Sequence, residues 1–227
     1  MTKIIISLEK KEHFRIAREI QDYVDGWKIN HIGWEIISQS RFDEFAPLNR
    51  YRLSNDKEVF VDFKLWDTQN TVKTVVESII KKGGTMTTIS TFNNESVFDE
   101  LEQFKDDIKL LAVTYLTSWN KDEQYQICRE MPDFMWRRHL SRVKGFYGVV
   151  CSALDIGMLS GADKKLKRVC PGIALPIRRA APSGQVRITT PKNAKELGAD
   201  YLVIGRAVTE SKDPVKIIKD IREQLAP

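Results

Sequence analysis

The feature that most constrains the fold is a regular alternation of short apolar, β-branched runs with longer amphipathic segments. The runs recur at intervals of about 20 to 40 residues, as expected for repeated β-α-β units. Eight such repeats within 227 residues predict an α/β protein with a closed (β/α)8 TIM barrel, and an open doubly wound sheet is the alternative. The predicted strands are Ile4–Leu8, Gly26–Ile29, Val59–Phe63, Met86–Ile89, Leu110–Tyr115, Gly148–Cys151, Arg168–Cys170 and Tyr201–Gly205.

The segments between the strands have the apolar spacing of helices. In Lys11–Tyr23 the apolar side chains fall on one helical stripe. Thr68–Lys82 repeats this pattern and ends before Gly83-Gly84, where a left-handed cap can form. The stretch Asn120–Lys144 is long enough for two helices, and the last helix is predicted to start at Asp213.

Composition and charge indicate the broad class of protein. No Pro/Gly/Ser-rich linker or low-complexity tract divides the chain, so we expect one domain spanning residues 1–227. Lys and Arg number 36 against 31 Asp and Glu, and the net charge of +5 suits a small anionic ligand. The basic residues are scattered, which gives little support for nucleic-acid binding. No apolar run approaches the ~20 residues of a membrane helix and no signal peptide is evident, so we expect a cytoplasmic protein without membrane association.

The three cysteines and three histidines suggest no metal centre. The cysteines are odd in number and lack C-x-x-C spacing, so neither a disulfide framework nor a zinc site is indicated. The histidines lie far apart without carboxylates at ligand spacing. We therefore expect no metal.

The most informative segment runs from Val59 to Asp67, an apolar strand that ends in Asp-x-Lys-x-x-Asp. Because side chains alternate across a strand, Asp62 and Lys64 are expected on the same side, about 6 to 7 Å apart along it. In a barrel that side is the interior, which opens into the active site at the carboxyl ends of the strands. Charges placed there need partners, and Lys28 and Asp67 are the natural second cation and second anion. The same spacing also fits an ordinary surface ion pair at the end of a strand.

The motif Asp62-x-Lys64-x-x-Asp67, followed by Thr71, resembles the signature of the orotidine 5′-phosphate decarboxylase family. The resemblance extends along nearly the whole chain, because six further positions of the predicted barrel are similar to the family in content and order. These are Lys28, Val113–Ser118, Val149–Ala153, Pro171–Ile173, Gln185–Pro191 and Gly198–Arg206.

The resemblance implies an enzyme that decarboxylates orotidine 5′-monophosphate to uridine 5′-monophosphate without a cofactor. Lys64 would protonate C6 of the pyrimidine as carbon dioxide leaves. Asp62 would lie beside the substrate carboxylate. Lys28 and Asp67 would complete an alternating charge network that keeps Lys64 charged and aimed at the ring.

A nucleotide site built from the ends of several strands is also implied by the resemblance. Thr117 would hydrogen-bond the pyrimidine edge, and Gln185 would bridge base and phosphate from a mobile surface loop at 175–187. Arg206 would clamp the phosphate with its two-pronged guanidinium, and loops after strands seven and eight commonly form that site in barrels. The predicted substrate-binding residues are Glu9, Thr71, Thr117, Ser118, Pro171, Gln185, Gly205 and Arg206.

The family's dimer implies that Asp67 and Thr71 reach into the neighbouring subunit's site. The sequence also departs from the family pattern at four places, although the Asp-Lys-Asp-Lys set is intact. We therefore expect activity with some retuning. The departures are Glu9 in place of aspartate, Thr68 in place of isoleucine, Ser90–Asn94 in place of a histidine and small residues, and Ala174 in place of arginine.

Two other functions remain open. The same barrel and motif occur in magnesium-dependent sugar-phosphate decarboxylases and synthases, which would bind the metal with carboxylates near strands one and three. Thr71, Thr117 and Gln185 favour the pyrimidine nucleotide instead. A non-catalytic nucleotide-binding relative is the other possibility, but such a protein has little reason to keep charged groups where an anionic substrate must sit.

Overall fold

The computed structural model of the chain describes residues 1–39, 57–129, 132–143, 145–159, 165–175 and 187–226. Gln185 and most of the predicted loop at 175–187 lie outside these ranges.

Eight parallel strands pair in sequence order, and β8 pairs with β1 to close the barrel. The closed barrel confirms the predicted fold, and the open doubly wound sheet is wrong. Each observed strand agrees with its predicted position to within about two residues at either end, as expected when apolar runs define the strands. The strands are β1 Lys3–Leu8, β2 Gly26–Ile29, β3 Glu58–Leu65, β4 Met86–Ser90, β5 Lys109–Val113, β6 Gly148–Val150, β7 Lys167–Cys170 and β8 Tyr201–Ile204.

Helices occupy most of the connections between strands. The pair predicted in 120–144 is confirmed, and the first of the two starts with a capping box in which Asn120 and Glu123 bond each other's backbone N–H groups. The left-handed cap predicted at Gly83-Gly84, after the helix between β3 and β4, is also present, with Gly83 at φ 87°. In the described ranges the α-helices are α1 His13–Ile20, α2 His31–Gln39, α3 Gln69–Lys81, α4 Glu95–Leu101, α5 Lys121–Cys128, α6 Pro132–Leu140, α7 Pro191–Glu196, α8 Arg206–Thr209 and α9 Pro214–Gln224, with 3-10 turns at Gln21–Tyr23, Glu102–Phe104 and Ala153–Met158.

The core has two layers because side chains alternate along each strand. One layer fills the barrel interior and contains Ile5, Phe60, Met86, Leu111 and Val169. The other layer joins the outward faces of the strands to the apolar stripes of the helices. No helix in the described part of the chain has the length and apolar character of a membrane span.

Polar side chains fill the amino end of the barrel. Glu58 on β3 is nearly buried and forms ion pairs with Lys3 at 3.5 Å and with Lys109. The hydroxyls of Tyr147 and Tyr201 lie 2.6 Å apart beside this group. This end is therefore occupied by protein contacts, and the predicted site residues lie at the opposite end.

Candidate active site

The predicted site residues that the structure describes lie in the last residues of the strands or in the segments that follow the strands' carboxyl ends. This placement results from the parallel topology, which brings all eight carboxyl ends to one rim. The rim carries Glu9 after β1, Lys28 in β2, Asp62 and Lys64 in β3, Thr117 and Ser118 after β5, Pro171 after β7, and Gly205 and Arg206 after β8.

Three of the four predicted charges form a continuous chain of ion pairs. The Nζ of Lys28 lies 3.1 Å from Oδ2 of Asp62, and the Nζ of Lys64 lies 2.9 Å from its Oδ1. The side chains of Lys28 and Asp62 are 14% and 12% exposed, whereas that of Lys64 is 42% exposed. The ammonium of Lys64 is therefore the member of this group that an entering ligand can reach most directly.

The carboxylate at the centre of this group is ionised at neutral pH. Burial raises the pKa of Asp62, but the two flanking ammonium groups, first Lys28 and then Lys64, outweigh burial and hold its pKa below the usual value. The site therefore presents a fixed anion between two cations, a preorganised alternation of charge.

The backbone at Lys64 is not that of a regular strand. Its φ is 50°, in the left-handed region, and the pairing of β3 with β4 shifts register between Val61 and Leu65. The simple alternation that predicted neighbouring side chains for Asp62 and Lys64 thus gives the right contact through a β-bulge rather than through an even pleat.

Asp67 is exposed and stands apart from the two lysines within this chain. Its carboxylate accepts a hydrogen bond from the N–H of Thr68 at 2.6 Å. Thr71 is also exposed, and its hydroxyl lies 3.0 Å from that of Thr68. Across the described ranges Asp67 takes part in no ion pair, so one protomer assembles Lys28, Asp62 and Lys64 but leaves the fourth charge facing outward.

Glu9 is held by its own segment of the chain. Its Oε1 accepts a hydrogen bond from the Ser7 hydroxyl at 3.0 Å, and its N–H donates to Nδ1 of His13 at 3.0 Å. Burial lowers the pKa of His13, which keeps that nitrogen available as an acceptor. Ser7 is the register partner of Lys28, so Glu9 stands at the rim beside the charged group.

The segments after β7 and β8 form the opposite side of the rim. Ile173 and Thr189 make a parallel bridge, and the N–H of Thr189 donates to the carbonyl of Gly172 at 3.0 Å. Gly172 has a φ of 80°, a conformation that glycine adopts without strain. Arg206 is half-buried and is the first residue of α8, directly after Gly205.

Sequence reasoning did not single out three polar residues that organise the rim. Asp155, with no exposed surface, pairs with both terminal nitrogens of Arg187 and accepts a bond from the Tyr115 hydroxyl at 3.3 Å. On β4 and the loop after it, Thr88 and Asn93 bond the backbone around Lys64 and Asp67. An acid within the apolar run of residues 153–156 was the available signal for Asp155, whereas threonine in a strand gives none.

The fold and the site together define a class of protein: a (β/α)8 barrel with an ammonium, carboxylate, ammonium series at the carboxyl ends of adjacent strands. A profile of the "Orotidine 5'-phosphate decarboxylase / HUMPS family" matches residues 2–221. The chain belongs to this family.

Relatives of similar length support the assignment. Orotidine 5′-phosphate decarboxylase of Dictyoglomus thermophilum is 31% identical, and the match covers 98% of this chain and 94% of that protein. The corresponding protein of Actinobacillus pleuropneumoniae is 35% identical, with 98% of both chains covered.

Solved structures share the fold. The crystal structure of orotidine 5′-phosphate decarboxylase from Lactobacillus acidophilus matches over 100% of both chains with a TM-score of 0.76 and 23% identity. That of orotidine 5′-monophosphate decarboxylase from Methanocaldococcus jannaschii, complexed with the inhibitor BMP, matches with a TM-score of 0.73 and 19% identity.

Proposed function

We propose that this chain decarboxylates orotidine 5′-monophosphate to uridine 5′-monophosphate in pyrimidine biosynthesis, without a cofactor. The observation that carries the proposal is the Lys28–Asp62–Lys64 series at the carboxyl ends of β2 and β3 in a chain of this family. A binding protein would gain nothing from holding an ionised acid against the carboxylate of its own ligand.

The chemistry requires one bond to break and one to form at C6 of the pyrimidine. The bond to the carboxylate breaks, carbon dioxide leaves, and the electron pair stays on C6. The Nζ of Lys64 then donates a proton to C6 and is reprotonated from solvent. Its 42% exposed side chain, tethered at 2.9 Å to Asp62, suits a donor that must reach a ligand in the barrel mouth.

Electrostatic preorganisation lowers the barrier in this proposal. Negative charge develops on C6 beside an ammonium that is already fixed, so little reorganisation accompanies the reaction. Asp62 lies beside the departing carboxylate, and Lys28 balances the charge of Asp62 from β2. Lys64 thus stabilises the charge on C6, Asp62 faces the charge of the substrate carboxylate, and Lys28 balances the charge of Asp62.

Nucleotide binding is proposed for the remaining rim residues. Thr117 and Ser118 contact the pyrimidine, Pro171 lies beside it, Glu9 faces the ribose, and Arg206 next to Gly205 holds the phosphate. Gln185 bridges base and phosphate. Because Glu9 is already bonded to Ser7, ribose contact would need the Glu9 carboxylate to accept a second donor at its free lone pairs.

A homodimer completes the site in this proposal. The outward-facing carboxylate of Asp67 and the exposed Thr71 hydroxyl can serve a neighbouring protomer. The partner's Asp67 would then supply a second anion, which Lys28 and Lys64 lack among the described residues of one chain. We also propose a cytoplasmic location, since the buried thiols of Cys151 and Cys170 are free.

A turnover assay tests the function. Purified protein is mixed with orotidine 5′-monophosphate, and the loss of ultraviolet absorbance and the release of carbon dioxide are followed with and without a chelator. We expect equal turnover in both conditions. No carbon dioxide at high enzyme concentration would overturn the proposal, and loss of turnover with chelator would favour the magnesium-dependent chemistry.

A further inference from the structure

The bulge in β3 leaves a single residue of β4 opposite the catalytic segment. Val61 pairs with Thr87 and Leu65 pairs with Ile89, so residues 62–64 face Thr88 alone. A bulge interrupts the regular ladder, and its backbone groups need other partners. The N–H of Lys64 is one such group.

Thr88 supplies that partner and a second bond at the same time. Its hydroxyl oxygen accepts from the backbone N–H of Lys64 at 2.8 Å. The same hydroxyl donates its proton to Oδ1 of Asp62 at 3.0 Å. Thr88 has no exposed surface, so water does not compete for either bond.

The two bonds connect the backbone of one charged residue to the side chain of the other. Oδ1 of Asp62 is also the atom that binds the Nζ of Lys64 at 2.9 Å. The hydroxyl, the carboxylate and the lysine therefore form a closed ring of contacts. This ring fixes both ends of the Lys64 side chain, its backbone origin and its ammonium.

We propose that Thr88 is a positioning residue that holds Lys64 in its left-handed backbone conformation and aims its ammonium at the ligand. The inference rests on the proposed function, because the aimed group is the proton donor. In this role Thr88 acts through Asp62 and Lys64, the two residues that its hydroxyl bonds.

Thr87 provides a matched control on the same strand. It too has no exposed surface, and its hydroxyl donates to the carbonyl of Val61 on β3 at 2.9 Å. It therefore resembles Thr88 in burial, residue type and bonded strand. It differs in that its hydroxyl bonds neither Asp62 nor Lys64, so Thr87→Val removes a comparable bond outside the charged group.

The experiment compares Thr88→Val, Thr88→Ser and Thr87→Val with the wild type. We expect Thr88→Val to lower kcat for orotidine 5′-monophosphate by at least about tenfold with little change in KM, because small misplacements of a reacting group are costly. Thr88→Ser keeps the hydroxyl and should stay within about threefold of the wild type, as should Thr87→Val. If either valine variant fails to fold, Thr88→Ala and Thr87→Ala replace the pair.

A second measurement needs no substrate. Acetic anhydride labels free amines, and the labelling of Lys64 relative to the exposed Lys81 is read by mass spectrometry. A Lys64 released from its ring of contacts should label at least about threefold faster in Thr88→Val than in Thr87→Val, because its ammonium is less tightly paired.

The outcomes distinguish the positioning role of Thr88 from the proposed decarboxylase function. Equal kcat and equal labelling in the two valine variants, or a Thr88→Ser variant as slow as Thr88→Val, would overturn the positioning role. A wild type that releases no carbon dioxide would defeat the proposed function, whereas the labelling comparison would still decide the role of Thr88.

Discussion

Asp62 is the residue on which the charged group depends. Each of its oxygens binds a different ammonium, and Oδ1 also accepts from Thr88. An acid with 12% side-chain exposure would normally favour its neutral form, yet the two lysines reverse this preference. The two ammonium groups therefore hold the folded-state pKa of Asp62 below that of a free aspartate.

The lowered pKa of Asp62 predicts a specific dependence of stability on pH. Its folded-state pKa lies below the ordinary value of about 3.9, so its contribution is complete above that value and is lost as pH falls through the lower folded pKa. We expect the wild type to have a higher Tm than Asp62→Asn at neutral pH. This gap in Tm should shrink below about pH 4. Thermal unfolding across pH measures this gap; a gap that stays constant down to pH 2 would contradict the account.

The sequence predicted that Lys28, Asp62 and Lys64 meet, but not how the backbone allows it. Strand alternation and the Asp-x-Lys-x-x-Asp pattern indicated the pairing of Asp62 with Lys64. Nothing in a lysine favours positive φ, and that conformation costs about 1–3 kcal/mol unless neighbouring groups enforce it. The enforcing groups are on β4, more than 20 residues further along the chain, where sequence patterns carry no signal.

The loop after β4 is the element that supports the end of β3. Asn93 is 3% exposed, and its amide donates to the carbonyls of Leu65 at 2.8 Å and Ser90 at 2.9 Å. Its Oδ1 accepts from the N–H of Asp67 at 3.2 Å. Arg142 in turn donates to the carbonyl of Asn93 at 2.8 Å, so the loop is itself held in place.

This support predicts a selective effect of Asn93→Ala. The change leaves buried backbone groups without partners and should lower the free energy of unfolding by about 1–3 kcal/mol. Because it also frees Asp67, we expect kcat/KM to fall by at least about tenfold.

Asn94→Ala is the control for Asn93→Ala. Asn94 caps α4 by accepting from the N–H of Val97, and losing such a cap costs about 1 kcal/mol without touching the catalytic segment. Chemical denaturation and steady-state kinetics compare the two variants. Equal losses of kcat/KM in both would mean that Asn93 matters only for stability.

Most elements could be predicted because local patterns encode them. Apolar runs gave the eight strands, helical stripes gave α1, α3 and α9, and an over-long connection gave α5 and α6. The contacts of Asn93 could not be predicted in this way. They join residues 26 or 28 positions apart, and only the closed barrel brings them together.

The whole barrel gathers its site from distant parts of the chain. Lys28, Asp62 and Arg206 stand on three different strand ends of one rim. The family resemblance predicted this gathering, but a second subunit is not encoded in any local pattern. The exposed position of Asp67 is the structural feature on which the proposed homodimer rests.

Mixing two inactive variants tests the shared site. Lys64→Ala and Asp67→Ala should each have low activity alone. If Asp67 serves the neighbouring protomer, a mixed dimer contains one site with both residues intact. Random reassociation should then restore about a quarter of the sites. Steady-state turnover after unfolding and refolding the mixture measures this, and no gain above the separate variants would place Asp67 in its own protomer's site.

The most direct test of the central claim is the turnover of Lys64→Ala beside that of Lys81→Ala. Lys81 is an exposed lysine in the last turn of α3, which runs back toward the amino end of the barrel. We predict that Lys64→Ala releases carbon dioxide at least about 10³-fold more slowly than the wild type while still binding uridine 5′-monophosphate, and that Lys81→Ala is unchanged. A Lys64→Ala enzyme within about tenfold of the wild type would contradict the assignment of Lys64 as the proton donor.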